Sequence, residues 1–316
     1  MFDVVCVGIL VADVIAKTVD KVPESGKLGL VDSIRLHNGG GAMSCAIDLA
    51  KIGAKSAIIG KVGEDGFGQY LTGVLVQHGV NVSGLAVDNK VDTSSSVVLI
   101  ETSGERTFLH CQGSNGAFKE EDIDYSVIEK SKIAFISGSL LMRSFDGVPT
   151  ETALKKIKEM GKTTVLDTAW DDSGRWMEVI GQTLKYVDYF IPSLEEAEKL
   201  AGEKDLDKIA NAFFNYGVSH VVIKLGKRGC YFRENIDSVG KIISTYKAKV
   251  VDTTGAGDSF CSGFLYGLVN GMSMEESCRF GNAVGTFCVQ EVGATSGIKS
   301  YKEIKEFMNN NNGLEC

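Results

Sequence analysis

The chain has 316 residues, 44% apolar and 23% charged, which suits one large globular domain or two small ones. Thirty-three basic against 41 acidic residues leave a formal charge of −8. That speaks against nucleic acid or an anionic membrane as the main partner, though not against a small anion held in a nest of N–H groups.

In chain order, residues 4–10 predict a strand, and the start Met1-Phe2-Asp3-Val4 carries no basic leader, so it reads as a first strand and not as a signal peptide. Residues 14–20 and 28–36 read as strands parted by the turn-rich Pro23-Glu24-Ser25-Gly26. Residues 42–52 predict a helix, 55–61 the next strand, and 67–78 a helix stopped by Gly79. Residues 94–101 and 105–111 read as a hairpin around Ser103-Gly104. Strands follow at 133–138, 163–167, 186–191 and 219–225, with helices at 150–160, 194–201 and 206–216. This alternation predicts an α/β protein with a mainly parallel sheet covered on both faces. The weakly alternating, partly polar segments at about 14–36 and 92–112 are expected to form a small sheet standing off it, a lid. A pair of surface hairpins is the other reading. Three prolines and no repeat argue for a single domain over 1–316, with residues 309–313 as a frayed tail. No apolar run approaches the roughly 18 residues of a membrane span. The eight cysteines stand singly, and several lie in apolar stretches and read as buried thiols; the four histidines are dispersed, and a cytoplasmic location without a zinc site is expected.

Asp252-Thr253-Thr254-Gly255-Ala256-Gly257-Asp258-Ser259-Phe260 carries the most chemistry. Small residues run into an acid, and Phe260, Phe264 and Leu268 then recur at helical spacing. A glycine turn feeding a helix N-terminus is a natural anion site. Asp258 would stand beside that anion and repel it, unless it serves to take a proton from an attacking hydroxyl. Taken alone, the stretch also reads as an ordinary helix start. Neither GxxxxGK[ST] nor GxGxxG occurs; Gly39-Gly40-Gly41-Ala42-Met43-Ser44 comes nearest. Three glycines before a helix let a ligand approach the backbone. Asp13, at the carboxyl end of the first predicted strand, would accept from hydroxyls of a polyhydroxylated molecule or serve as a turn acid.

These stretches resemble the two signatures of the ribokinase-like, PfkB-type carbohydrate kinase family, the first continued by Gly60-Lys61-Val62-Gly63-Glu64-Asp65-Gly66-Phe67-Gly68. Gly104-Glu105-Arg106 and Gly113-Ser114-Asn115 fit the same pattern, which runs end to end. The resemblance implies a ribokinase-like three-layer α/β/α fold with a small β-sheet lid. It also implies ATP-dependent phosphorylation of a hydroxyl, expected to be primary, on a sugar or sugar derivative. By position, Asp258 matches the catalytic base, and Gly255, Ala256 and Gly257 the anion hole. Asp13, Gly40, Gly41 and Ser44 match acceptor contacts, and Lys224, Gly226, Gly229 and Asn282 the surroundings of ATP. Glu196 matches an acid tied to Mg²⁺ through water, and Asp252 and Thr254 match a site for a monovalent cation, usually K⁺. The family also implies a homodimer formed through the lid.

The chain departs from the pattern where Ser44 and Ser193 stand in place of asparagine, and where Asp167-Thr168-Ala169 lacks another. Lys27, Arg106 and Arg143 would suit a phosphosugar or sugar acid, and Phe108 or Phe118 the base of a nucleoside. A nucleoside kinase of the same fold, and a sugar- or nucleotide-binding regulator without turnover, are the alternatives.

Overall fold

The structure, a computed structural model, describes residues 1–311. Of the expected tail, Asn309 and Asn310 complete the helix Tyr301–Asn310, and 312–313 lie outside the described residues. Thirteen strands are β1 (Phe2–Gly8), β2 (Val11–Lys17), β3 (Ser33–Gly39), β4 (Ser56–Gly63), β5 (Asn81–Asp88), β6 (Ser95–Ile100), β7 (Arg106–Cys111), β8 (Ser131–Ser139), β9 (Thr163–Thr168), β10 (Tyr189–Phe190), β11 (His220–Lys224), β12 (Cys230–Arg233) and β13 (Lys241–Ile243). Nine form one sheet in the order β13-β12-β11-β10-β9-β8-β1-β4-β5. It is parallel from β11 to β5 and antiparallel at β11–β12–β13.

Period-two alternation explains why this sheet is covered on both sides. In β1, Val4 and Cys6 enter one core while Val5 and Val7 enter the other. The first core holds the helices Gly41–Ile52, Gly66–Gln77 and Ala256–Val269. The second holds Val148–Glu159, Leu194–Ala201 and Leu206–Asn215. The helix Met274–Cys288 lies so close to Ala256–Val269 that a Cβ on Gly263 would come 2.8 Å from Gly281 Cα.

The remaining four strands form the small sheet, β3-β2-β6-β7. Its second strand is displaced from the sequence expectation: β2 spans 11–17, not 14–20. The cause lies in Asn115, whose amide donates to Leu10 O at 2.8 Å and whose Oδ1 accepts from Leu10 N at 3.1 Å. This clamp satisfies the backbone between β1 and β2, turns the chain early, and places Asp13 inside the small sheet. Leu28 and Leu30, which suggested a strand, are exposed and precede β3.

Candidate active site

The carboxyl ends of β8, β9 and β11 bring Ser137, Asp167 and Lys224 to the start of the helix Ala256–Val269, where sites in parallel sheets form. Gly255 caps that helix with φ +77°, and a Cβ there would lie 2.6 Å from Ala294 Cβ. Only glycine meets both demands. The first N–H groups of a helix lack intrahelical acceptors. The one on Ala256 turns to Thr253 O at 3.2 Å, while Gly257 lines a cleft beside Lys224.

Asp258 stands in the first turn, against the glycine run. A Cβ on Gly41 would collide with Ser137 Oγ and stand 3.0 Å from Asp258 Oδ1, so the helix Gly41–Ile52 begins in contact with the acid. Gly40 is the cap of that helix. A Cβ on Gly39 would collide with Asp13 Oδ2, which places Asp13 on the other side of the same run. Asp13 is partly buried, and burial pushes its carboxyl above the ordinary range against the lowering bond from Ser96. Asp13 and Asp258 thus flank three glycines. Ser44 differs: its side chain is fully buried in the helix with no hydrogen-bond partner for Oγ, and it has no surface facing the cleft.

Charge concentrates on the floor of the site. Lys224 Nζ pairs with Asp167 Oδ1 at 2.7 Å, and both side chains are mostly buried. Burial works against the Lys224 ammonium, but Asp167 and Glu196 outweigh it and hold it above the usual lysine range. Burial raises the Asp167 carboxyl to about 7, with Lys224 pulling it down and Glu196 and Asp258 pushing it up. Burial likewise raises Asp258 to about 6, opposed by Lys224 and aided by Glu196. One lysine therefore serves three carboxyl groups, and such a floor favours a divalent cation arriving with a polyphosphate. Glu196 fits that role in part. Its Oε2 accepts from Thr168 Oγ1 at 3.0 Å and Ser193 N at 2.9 Å, which fixes the carboxylate and leaves Oε1 without a donor among the described residues. Ser193 caps the helix Leu194–Ala201 in a reciprocal box with Glu196, which accounts for serine at this position. Among the described residues no three His, Cys, Asp or Glu side chains form a metal cage.

Lys224, Gly226, Gly229, Gly257 and Asn282 line one cleft of about 610 Å³, walled on its apolar side by Tyr246, Val250 and Val289. A mostly apolar slot that ends at a helix N-terminus suits a nucleotide, base outward and phosphates inward. Asn282 spends its amide on Ile243 O at 3.0 Å and Ser244 O at 3.3 Å, so it braces β13 as part of the cleft wall. Asp252 and Thr254 lie just before the turn, and both meet Arg106 from β7. Lys27, Arg143 and the fully buried Phe118 do not line this cleft. Sequence reasoning did not anticipate the Asp167–Lys224 pair, and only the placement of both at strand carboxyl ends signals it.

Residues 1–300 match the family model of the pfkB family carbohydrate kinases. The 2-dehydro-3-deoxygluconokinase of Bacillus subtilis is 28% identical over 300 residues, covering 90% of each chain. The ribokinase of Schizosaccharomyces pombe is 26% identical over 322 residues, covering 96% of this chain and 97% of its own. Among solved structures, Arabidopsis thaliana ribokinase complexed with ribose and ATP superposes with a TM-score of 0.84 at 25% identity, covering 97% of this chain and 98% of that one.

Proposed function

Because the chain belongs to the pfkB family of carbohydrate kinases, phosphotransferases with an alcohol group as acceptor, we propose that it moves the γ-phosphoryl group of ATP to a primary hydroxyl of a sugar or sugar derivative, with Asp258 as base. The observation that carries this reading is the contact of Gly41 with Asp258, which sets the acceptor-side glycines against the base, one residue from Gly257 at the inner end of a nucleotide-sized cleft. The acceptor would lie over Gly40 and Gly41, held by Asp13. The N–H groups of the Gly255–Gly257 turn would hold the γ-phosphate, and Lys224 would offset its charge. Asp258 would receive the hydroxyl proton as that oxygen attacks; a base titrating near 6 is well matched to neutral pH. Mg²⁺, bound with the nucleotide and touched through water by Glu196, would supply charge neutralisation. The small sheet would act as a lid that keeps water from the phosphate.

One face of the small sheet carries Asp13, with Ser96 and His110 beside it. Phe108 lies on that face two residues from His110 and is 59% exposed. An open aromatic ring there favours a second reading, a nucleoside acceptor whose base stacks on it. The opposite face presents Ile34, 67% exposed, and Leu109, 63% exposed, beside Val97. Such a patch supports a homodimer closed lid against lid. Leu109→Asp would then shift sedimentation from dimer to monomer, and an unchanged dimer would place the interface elsewhere.

ADP release from MgATP across sugars, sugar acids, phosphosugars and nucleosides tests the function. One acceptor class giving turnover supports the kinase and names its substrate. ATP binding without turnover on any acceptor would favour the regulator.

A further inference from the structure

Among the described residues, the small sheet and the loop before the anion turn meet at one charged contact. Arg106, the first residue of β7, brings Nη2 to 2.9 Å from Asp252 Oδ1 and donates from Nη1 to Thr254 Oγ1 at 2.6 Å. What remains of Asp252 is spent locally. Thr254 N donates to Oδ1 at 2.8 Å and Gly293 N to Oδ2 at 3.0 Å, and the side chain is only 3% exposed. The Thr254 carbonyl accepts from Cys288 Sγ at 3.4 Å. These two residues are the ones for which the family resemblance implies K⁺. An ion held by Asp252 Oδ1 and Thr254 Oγ1 would share both oxygens with a guanidinium already seated there, and Asp252 Oδ2 is turned to Gly293 N. Like charges that close repel, most of all at the buried Asp252 end of the contact. The residues as arranged therefore do not fit K⁺.

We propose that Arg106 is itself the cation of this loop. A tethered guanidinium stands where a monovalent ion would act, and the turn Gly255–Gly257 is ordered by the small sheet and not by K⁺. Arg106 is a positioning residue, acting through Asp252 and Thr254. The planar fork spans carboxylate and hydroxyl together, which a lone ammonium cannot do. β7 pairs with β6, and β6 with the strand bearing Asp13, so the acceptor side and the phosphate side share one brace. The effect on ATP rests on the kinase reading; the contact does not.

The test compares the full chain with Arg106→Ala and Arg106→Lys in KCl, NaCl and tetramethylammonium chloride at equal ionic strength. Thermal melting and calorimetric Kd for MgATP are the two readouts. The wild type should show the same Tm in the three salts and a Kd within about twofold. Loss of charge-assisted bonds should weaken MgATP binding by Arg106→Ala roughly tenfold or more in tetramethylammonium. KCl should restore most of that loss and raise the Tm of this variant alone. Arg106→Lys should fall between the two. A wild-type Tm or Kd that improves severalfold with K⁺ overturns the proposal, as does a loss in Arg106→Ala that K⁺ does not repair. If no form binds MgATP in any salt, the kinase reading fails, and the melting comparison still decides the role of Arg106.

Discussion

Replacing Asp258 by Asn should stabilise the protein while removing its chemistry. In the unfolded chain this carboxyl ionises near 3.8; in the fold, burial beside Glu196 raises that to about 6 despite Lys224. The folded state holds the proton more tightly, so the group favours folding below about pH 4, and that contribution is lost as pH rises through about 6. The gap corresponds to a cost of about 3 kcal/mol near pH 8 and about 1 kcal/mol near pH 4.5. Asn carries no charge at either pH, so the variant should recover those amounts. For a chain of this length the larger gain is a rise in Tm of roughly 3–5 °C. Urea unfolding and thermal melting of both proteins at the two pH values measure it. A variant no more stable than the wild type near pH 8, or one whose gain is the same at both, would refute the claim that a half-buried, reluctantly ionised acid sits at this helix start.

The same acid should set the lower limb of the pH–rate profile: kcat/KM should fall tenfold per pH unit below about 6, because the base must be ionised to accept a proton. A flat profile down to pH 5 would remove Asp258 from that role. Gly41→Ala puts a methyl group onto Ser137 Oγ and against Asp258 Oδ1, so turnover should drop by roughly 10²-fold or more, while normal kinetics would mean that the two elements do not meet as described. Lys224→Met leaves Asp167 without its pair in a buried site, and because the lysine pulls that carboxyl down, urea unfolding near pH 9 should show a loss of about 3 kcal/mol; a neutral effect there would show that Asp167 does not depend on Lys224. Outside its own helix, a Cβ at Gly257 would meet nothing closer than Lys224 Nζ at 3.5 Å, so Gly257→Val points its methyl groups at the cleft. Its stability should hold while MgATP affinity collapses, and unimpaired binding would argue against phosphate at that turn.

The parts of the site that lie close together in the chain were legible in the sequence. The turn Asp252–Asp258 is such a part, because small residues ahead of an apolar helical repeat have few other conformations to serve. The glycine run ahead of the helix Gly41–Ile52 is another. The parts set by distant contacts were not legible. The start of β2 depends on Asn115, 105 positions from Leu10. The bond between Arg106 and Thr254 joins residues 148 positions apart, and nothing in either segment announces the other. The helix Met274–Cys288 escaped notice because Gly281, which lets it approach Ala256–Val269, also weakens its helical pattern. The strands β12 and β13 are short, four and three residues, too brief for alternation to show. Ser44 has the right spacing from the glycines for an acceptor contact, yet the helix turns it inward.

The central claim is that Asp258 takes the proton in phosphoryl transfer from ATP to a hydroxyl. Its most direct test is kcat for wild type and Asp258→Asn on the acceptor that supports turnover, with the Kd for MgATP measured alongside. The account predicts a loss of kcat of about 10²–10⁴-fold with nucleotide affinity nearly unchanged. Turnover close to that of the wild type would contradict it.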